Sequence, residues 1–153
     1  MIADAAVRLA TLADADSIAA MSRDYIEHGL AWRWNVERIA HAINEPDINV
    51  AVSGNTGSVA GLGIMSYAED EAHLLLFAVR RSSQRRGVGS AILTWLEAVA
   101  RCAGAPRIFV EARESNRAAR SFYEAHGYQV FLHKEAMYGG VEYGVRMQKW
   151  LQG

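Results

Sequence analysis

The sequence predicts a single α/β domain over residues 1–153, with a mixed, mostly antiparallel sheet of about seven strands and about four helices on both of its faces. The length of 153 residues is that of one globular domain with a sizeable core. Apolar residues make up 51% and charged residues 22%, which is the balance of a folded chain. Apolar periodicity places three hairpin-linked strands before strand–helix–strand units, and that order favours a mixed sheet between helical layers.

In the first half of the chain, the apolar spacing predicts a strand, two helices and two further strands. Ile18, Met21, Tyr25 and Ile26 recur at helical spacing in the first helix, and the glycine after His28 ends it. The predicted ranges in chain order are a strand at 7–9, helices at 13–27 and 36–43, and strands at 48–52 and 59–67.

The second half begins with the most strand-like stretch of the chain, residues 72–79, which we expect to be central and buried on both faces. A strong helix follows over 87–102, and Gly104 ends it. The inward stripe predicted for this helix consists of Val88, Ile92, Leu96, Val99 and Ala100. The remaining predicted elements are a strand at 108–112, a helix capped by Ser115 or Asn116 and ended by Gly127, and strands at 128–133 and 141–150.

Composition and charge argue against several functional classes. Sixteen basic and seventeen acidic residues give a net charge of -1, so binding of nucleic acid by bulk electrostatics is not expected. Cys102 is the one cysteine and the histidines show no ligand spacing, so we expect neither a disulfide nor a metal site. Because the sequence shows no secretory signal and no bilayer-length apolar run, we expect a cytoplasmic protein that does not bind membranes. Whether it forms a homodimer is left open.

The most informative segment lies between the central strand and the strong helix, over residues 79–90. Gly87 and Gly89 permit a sharp turn and the close approach of a ligand to the backbone. Free N–H groups in the first turn of the helix, together with its dipole, form an anion site. With arginines at positions 80, 81, 85 and 86, the segment predicts a site for a pyrophosphate or several phosphates. The alternative is a solvated loop whose glycines only begin a helix.

A second informative segment runs from Glu111 to Tyr123. Asn116 and Tyr123 are seven residues apart, so they share one face of a helix. Glu111 alternates with the apolar residues of the preceding strand and points to the opposite face, which predicts that a carboxylate, an amide and a phenol converge at the end of the sheet. Each has a structural alternative: Glu111 as the ion-pair partner of Arg113 or Arg146, Asn116 as a helix cap, and Tyr123 as a core residue.

The loop resembles the Gln/Arg-x-x-Gly-x-Gly/Ala motif of the GNAT superfamily, the acetyl-CoA-dependent N-acetyltransferases, in the sequence Gln84-Arg85-Arg86-Gly87-Val88-Gly89. The order of elements resembles that fold along nearly the whole chain. The resemblance implies a splayed central strand pair and acetyl-CoA as cosubstrate. The residues that it implies for cofactor binding are Phe77, Ala78, Val79, Gln84, Arg85, Arg86, Gly87, Val88, Gly89, Ser90 and Asn116.

The segment from Glu111 to Tyr123 is similar to the ribosomal-protein alanine N-acetyltransferase branch of that superfamily, in its Glu-x-Arg-x-Ser-Asn pattern and the following tyrosine. The similarity implies that Glu111 accepts the proton of the attacking amine and that Tyr123 protonates the departing thiolate. It favours a protein α-amino group as the acceptor, although Tyr143 stands where that branch has an acidic residue. The alternatives are a small-molecule amine as acceptor, a non-catalytic acyl-CoA sensor, and a binding domain for another nucleotide.

Further candidates concern the acceptor side. His73 begins the central strand and is expected to share a face with Leu75 and Phe77, which makes it the second candidate base. The predicted substrate-binding residues are Tyr25, Trp32, Arg33, Trp34 and Tyr138. For residues 30–34 a hydrophobic plug between two helices is the alternative. We expect Cys102 to be a small buried side chain, which favours direct transfer over an acetyl-cysteine intermediate.

Overall fold

The computed structural model describes residues 6–68, 71–136 and 142–151. Every predicted helix and strand occurs within this part of the chain, in the predicted order. The strands are β1 (Val7–Leu9), β2 (Ile48–Asn55), β3 (Ser58–Tyr67), β4 (Ala72–Val79), β5 (Arg107–Arg113), β6 (Gln129–Ala136) and β7 (Glu142–Trp150). The α-helices in the described ranges are α1 (Ala15–Met21), α2 (Val36–Asn44), α3 (Val88–Cys102) and α4 (Arg117–Ala125).

One sheet contains all seven described strands, in the order β1-β2-β3-β4-β5-β7-β6. Neighbouring strands are antiparallel except β4 and β5, which are parallel. The parallel pair follows from the chain path, because α3 carries the chain from the end of β4 back to the start of β5. The predicted mixed sheet and the central position of β4 are therefore confirmed.

Two hydrophobic cores lie on opposite faces of this sheet and explain why helices cover both. α1 and α2 pack on one face, with Ile18 and Ile39 fully buried against β2, β3 and β4. α3 and α4 pack on the other face, where Leu96 and Tyr123 belong to a core that includes residues of β2, β3, β4, β5 and β7. No helix in the described ranges has the length and apolar character that crossing a membrane requires.

The parallel pair of β4 and β5 separates soon after it begins. The register joins Ala72 to Ile108, His73 to Phe109 and Leu74 to Val110, and the pairing goes no further. The rest of β4, through Val79, diverges from the end of β5. The structure thus contains the splayed central strands that the sequence comparison implied, and the gap between them opens into the middle of the sheet.

A β-bulge at Leu75 corrects two expectations about β4. Ile64 pairs with Leu76 and Met65 pairs with Leu74, so Leu75 is an extra residue without a partner on β3. It is 40% exposed, and the expected burial of β4 on both faces is wrong at this position. Because an extra residue reverses the alternation of side chains, His73 and Phe77 lie on opposite faces rather than on the same one.

Two helices also differ from expectation in detail. The helix predicted for 13–27 consists of a short 3-10 turn, α1 and a π-helical turn over Ser22–Ile26. In α3, Val99 is only half-buried, and Leu93 and Glu97 join the inward face instead. Cys102 is exposed rather than buried, because it belongs to the last turn of α3, beyond the end of the sheet-facing stripe.

Candidate active site

The gap between β4 and β5 forms a cavity of about 530 Å³. Its walls come from both faces of the sheet, since Glu111 projects from one face of β5 and Tyr123 comes from α4 on the other. The described residues that line it are Tyr25, Ile26, His28, His73, Leu74, Leu75, Leu76, Phe77, Phe109, Val110, Glu111, Ala112, Arg113, Ser115, Asn116, Ala119, Tyr123 and Arg146. A cavity of this size, lined by polar and apolar side chains in about equal measure, can hold a small molecule.

Glu111 lies in this cavity as a half-exposed carboxylate held by Arg146. The guanidinium of Arg146 on the neighbouring strand β7 donates two hydrogen bonds to Oε2, at 3.0 Å from Nε and 2.5 Å from a terminal nitrogen. Both contacts use one oxygen, so Oε1 is the atom of Glu111 that is directed to other partners. The ion pair that the sequence offered as an alternative therefore exists and does not remove the carboxylate from the cavity.

Tyr123 is 4% exposed and reaches the cavity from the middle of α4. Its ring packs between aromatic neighbours, 6.0 Å from the ring of Phe77 and 5.8 Å from that of Tyr128. α4 begins at Asn116, whose Oδ1 accepts a hydrogen bond from the N–H of Ala119 at 3.1 Å. Asn116 is thus the helix cap and a cavity residue at once, which the sequence treated as compatible roles.

Tyr128 is a second phenol behind Tyr123, and its environment differs. Its hydroxyl donates a hydrogen bond of 2.8 Å to Oε2 of the buried Glu97, whose other oxygen accepts from Lys149 at 3.1 Å. Burial, followed by the negative charge of Glu97, raises the pKa of Tyr128 far above the ordinary value. Tyr128 therefore keeps its proton and fixes the core next to Tyr123.

His73 lies on the Glu111 side of the cavity, at the start of β4. Its ring is 5.3 Å from that of Phe109 on β5, and its Nε2 is 3.6 Å from Oε2 of Glu71. Both candidate bases consequently belong to one face of the sheet, and the phenol of Tyr123 belongs to the other.

The loop between β4 and α3 has the backbone of an anion site. Arg85 and Gly87 both have positive φ, 66° and 82°, which turns successive backbone groups of the loop in one direction. A Cβ at Gly87 would meet no described atom within 4 Å, so the space in front of the helix N-terminus is open. A Cβ at Gly89 would lie 3.3 Å from two ring carbons of Phe122, and this close packing is the reason for glycine there. Gln84 holds the loop to β4 through Nε2 and the carbonyl oxygen of Val79.

The four arginines of the loop divide into two pairs. Arg80 is structural, since its guanidinium donates two hydrogen bonds, of 3.0 and 3.1 Å, to the carbonyl oxygen of Val59 on β3. Arg81 lies over the ring of Tyr25 at 5.8 Å. Arg85 and Arg86 are exposed beside the open space at Gly87. The second pair is therefore the one placed to meet an anion at the helix N-terminus.

The π-helical turn over Ser22–Ile26 brings Tyr25 between the two halves of the site. Its ring lines the cavity, and its hydroxyl oxygen accepts a hydrogen bond of 3.3 Å from the backbone N–H of Arg81. A π-turn adds a residue to a helix, which redirects the side chains that follow it. Of the predicted substrate-binding residues, Tyr25 alone lies among the described lining of the cavity.

The tryptophans predicted for the acceptor site lie elsewhere. Trp34 is buried in the core beneath α1 and α2, with the guanidinium of Arg38 over its ring, and Trp32 is exposed beside Arg23. Neither they nor Arg33 appear in the described cavity lining. Tyr138 lies outside the described residues. In the segment 30–34, Trp34 has the buried position expected for the hydrophobic plug that the sequence offered as its alternative, whereas Ala31, Trp32 and Arg33 are exposed.

The sequence reasoning missed several groups that shape the site. The buried Glu27 accepts hydrogen bonds from Ser22 Oγ and from the N–H groups of Arg33 and Trp34, and so fixes the connector after the π-turn. Arg113 donates to the carbonyl oxygens of Ile26 and His28, at 2.9 and 3.0 Å, and closes one end of the cavity. In the sequence, a carboxylate at the end of a helix (Glu27) and an arginine in an apolar strand (Arg113) indicate that each charge has hydrogen-bond partners inside the protein. Neither residue type indicates which groups those partners are.

A contact between α3 and α4 was also not predicted from the sequence. Ser90 Oγ lies 2.9 Å from Nε2 of His126, and Nδ1 of the same ring lies 2.8 Å from the carbonyl oxygen of Phe122. A carbonyl oxygen can only accept, so Nδ1 donates and carries the proton. Ser90, predicted to bind the cofactor, is thereby held at the first turn of α3 by the end of α4.

Known proteins are similar to this chain in sequence and in fold. Residues 15–128 match the Acetyltransferase (GNAT) family over most of the chain. The chain belongs to this family. The ribosomal protein bS18-alanine N-acetyltransferase of Escherichia coli (strain K12) is 33% identical over 98 residues, which are 64% of this chain and 66% of that protein. The chain therefore matches slightly less than two thirds of the length of this curated relative.

Solved structures show the same GNAT fold. Ard1 from Thermoplasma volcanium superimposes with a TM-score of 0.82 at 24% identity, covering 97% of this chain and 98% of that one. YncA from Salmonella typhimurium, solved with its cofactor acetyl-CoA, gives 0.79 at 20% identity and covers 97% and 94%. The GNAT family is one of acetyltransferases, so the predicted enzyme class is confirmed at the level of the family. The open space at Gly87, the exposed arginines beside it and the splayed strands fit a cosubstrate that carries a pyrophosphate and an extended arm.

Proposed function

We propose that this chain transfers the acetyl group of acetyl-CoA to a primary amine by direct attack, and that the favoured acceptor is the α-amino group of a protein or peptide. The observation that supports this most is the cavity at the β4–β5 gap, which carries Glu111 and His73 on one face and Tyr123 on the other. An amine that enters from the Glu111 face and a thioester that enters from the Tyr123 face would meet inside the sheet.

The anion site at the N-terminus of α3 holds the pyrophosphate in this proposal. Backbone N–H groups of Gly87, Val88 and Gly89 donate to it, and Arg85 and Arg86 neutralise its charge. Ser90 and Gln84 keep the loop in place through His126 and Val79. Beyond the loop, the backbone of Phe77, Ala78 and Val79 is turned away from β5, so its polar groups on that side are directed to the cosubstrate arm, as is the amide of Asn116.

The chemistry needs one proton acceptor and one proton donor. The acceptor amine must lose a proton to become a nucleophile, and Oε1 of Glu111 takes it directly or through a water molecule; His73 is the second candidate. The departing thiolate needs a proton, and the hydroxyl of Tyr123 supplies it from the opposite side. Cys102 is exposed at the far end of α3, outside the described cavity lining, which favours direct transfer over an acetyl-cysteine intermediate.

The choice of acceptor rests on two arguments. The Escherichia coli relative is named for acetylation of an alanine of a ribosomal protein. That name agrees with the branch that the segment from Glu111 to Tyr123 resembles in sequence. The cavity also includes residues of β5 and β7 on the face of the sheet where α1 and α2 cover only β2, β3 and β4, so an acceptor larger than the cavity can extend beyond it.

A mass-spectrometric screen tests the proposal. The protein and acetyl-CoA are incubated with peptides that carry free α-amines, lysine peptides blocked at the N-terminus, amino acids and polyamines. Acetylation of the α-amine peptides is the expected result. Acetylation of a small amine alone would preserve the chemistry and reject the acceptor class. Binding of acetyl-CoA without transfer to any pool member would favour the acyl-CoA sensor.

A further inference from the structure

Beside the cavity, the sheet presents an aromatic face that no described helix covers. α1 and α2 pack on β2, β3 and β4, and the same side of β5, β7 and β6 is left uncovered by them. Phe131 is 43% exposed and Trp150 is 54% exposed, although both belong to strands. We call this the uncovered face; its side chains are Arg107, Phe109, Phe131, Leu132, Gln148 and Trp150.

The uncovered face is continuous with the candidate active site. Phe109 is shared by both, since it lines the cavity and its ring lies 5.4 Å from that of Phe131 on β6. Arg146, which holds Glu111, has its guanidinium 5.9 Å from the same ring. An exposed group of large apolar side chains beside a catalytic cavity is a typical feature of a surface that binds a macromolecule.

Arg107 provides the charge of this face. Its guanidinium lies between two rings, 4.4 Å from Phe109 and 4.8 Å from Trp150, and donates a hydrogen bond of 3.0 Å to Oε1 of Gln148. Among the described residues, no carboxylate forms an ion pair with it. A guanidinium held flat between aromatic rings retains donors at its edge and is well placed to bind a carboxylate.

The geometry of β5 fixes the distance between this charge and the reacting amine. Arg107 precedes Glu111 by four residues on the same face of the strand, which corresponds to about 13 Å at roughly 3.3 Å per residue. The opposite direction is closed, because Arg113 is bonded to the carbonyl oxygens of Ile26 and His28. An acceptor chain that places its amine at Glu111 therefore leaves along β5 toward Arg107.

We propose that the uncovered face binds the acceptor polypeptide beyond its acetylated residue, and that Arg107 selects an acidic side chain at about the fifth residue. This inference rests on the proposed function and names the substrate feature that the same site recognises. An extended chain of four further residues covers the distance from Glu111 to Arg107. Phe131, Leu132 and Trp150 supply apolar contact for the side chains between.

The test is a charge-swap experiment with hexapeptides that differ only at residue five, which is Asp, Ala or Lys. For the unmodified enzyme we expect the KM of the Asp peptide to be about five-fold below that of the Lys peptide, because one partly exposed ion pair replaces a repulsion. The kcat values should agree, since the contact is remote from the reacting atoms. In R107E the order of the peptides should reverse. R101E, which reverses an exposed charge at the end of α3, should keep the original order.

The outcomes separate this inference from the proposed function. The docking surface is rejected if all three peptides have the same KM, or if R107E ranks the peptides in the same order as the unmodified enzyme. Either result would leave the proposed acceptor, a peptide α-amino group, unaffected. If small amines are acetylated and no peptide is, both proposals are wrong. A third result concerns a second copy of this chain: if the protein sediments as a dimer that W150E converts to a monomer, the uncovered face is a self-interface and the inference is overturned.

Discussion

Ser90 Oγ and His126 Nε2 lie 2.9 Å apart and join the first turn of α3 to the end of α4. The two residues are 36 positions apart in the chain, and they connect the helix that begins at the proposed anion site with the helix that carries Tyr123. The ring of His126 also packs on Phe122 at 4.3 Å, and Phe122 in turn lies against Gly89. The two substrate-facing helices are therefore held as one unit.

Replacing His126 with Ala should loosen the start of α3. We expect a loss of about 1–2 kcal/mol in the free energy of unfolding, because the ring makes two hydrogen bonds, and an acetyl-CoA Kd raised about three- to five-fold. Calorimetric titration and urea unfolding measure the two effects. H41A is the matched control, because His41 is exposed and paired only with Glu45 in the next helical turn. Equal effects in both variants would contradict the role assigned to the Ser90 contact.

Tyr123→Phe tests the proton donor. Since the phenol acts when the thiolate leaves, kcat should fall by about two orders of magnitude, and the KM for acetyl-CoA should change little. Steady-state kinetics with a saturating acceptor separates the two constants. Y67F removes a phenol outside the cavity lining, bonded to Asn49, and should retain full turnover. Unchanged turnover in Y123F would remove the residue from the mechanism.

The two candidate bases are distinguished by single amide substitutions. E111Q keeps the hydrogen bond from Arg146 but removes the proton acceptor, so kcat/KM should fall about 100-fold. H73Q should retain activity within about three-fold. E114Q, at an exposed carboxylate paired with His133, serves as the control. The reverse ranking of E111Q and H73Q would assign the base to His73.

Gly87→Val tests the anion site, and α3 offers a control at its other end. Gly87 and Gly104 have nearly the same φ, 82° and 84°, and a Cβ at either would meet no described atom within 4 Å. Both valine variants should therefore lose about 1–2 kcal/mol of stability from backbone strain. Only G87V should weaken acetyl-CoA binding, by about ten-fold. If G104V weakens acetyl-CoA binding equally, the weaker binding comes from the lower stability of the fold, and the assignment of the anion site to the loop at Gly87 is wrong.

The stability of the fold in acid should depend on Asp14. Burial of its carboxyl disfavours the charged form, but hydrogen bonds from Arg8 and from the N–H groups of Thr11 and Gly57 outweigh burial and hold the pKa of Asp14 well below its usual range. The unfolded chain then takes up the proton at higher pH than the folded one. The stabilisation is thus fully present above the ordinary aspartate pKa of about 4 and is lost as the pH falls further.

Urea unfolding of D14N across that range measures the contribution. At pH 7 we expect the variant to be less stable by about 2–4 kcal/mol, because the substitution leaves Arg8 without its charged partner. The difference between D14N and the unmodified protein should shrink toward pH 3. D16N, at an exposed position in the same turn, should show no such dependence.

The parts of this molecule that follow local rules were predictable from the sequence. The anion loop, the Asn116 cap and the alternation that directs Glu111 away from the buried residues of β5 depend on neighbours in the chain. The bulge at Leu75 was not visible, because an apolar run such as Leu74 to Phe77 reads the same in either register. Long-range partners were also hidden: the burial of Trp34 depends on how α1 and α2 pack, and Ser90 meets His126 only once the sheet is formed.

The bulge in β4 makes the pairing register of this strand as consequential as its composition. Exchanging one apolar residue for another changes a volume, whereas a β4 of the same length without the bulge would pair Leu75 with Ile64 and turn every later side chain over. Phe77 would then face α1 and α2, and Leu76 would face α3. We therefore expect apolar substitutions in β4 to be tolerated better than any change that removes the bulge.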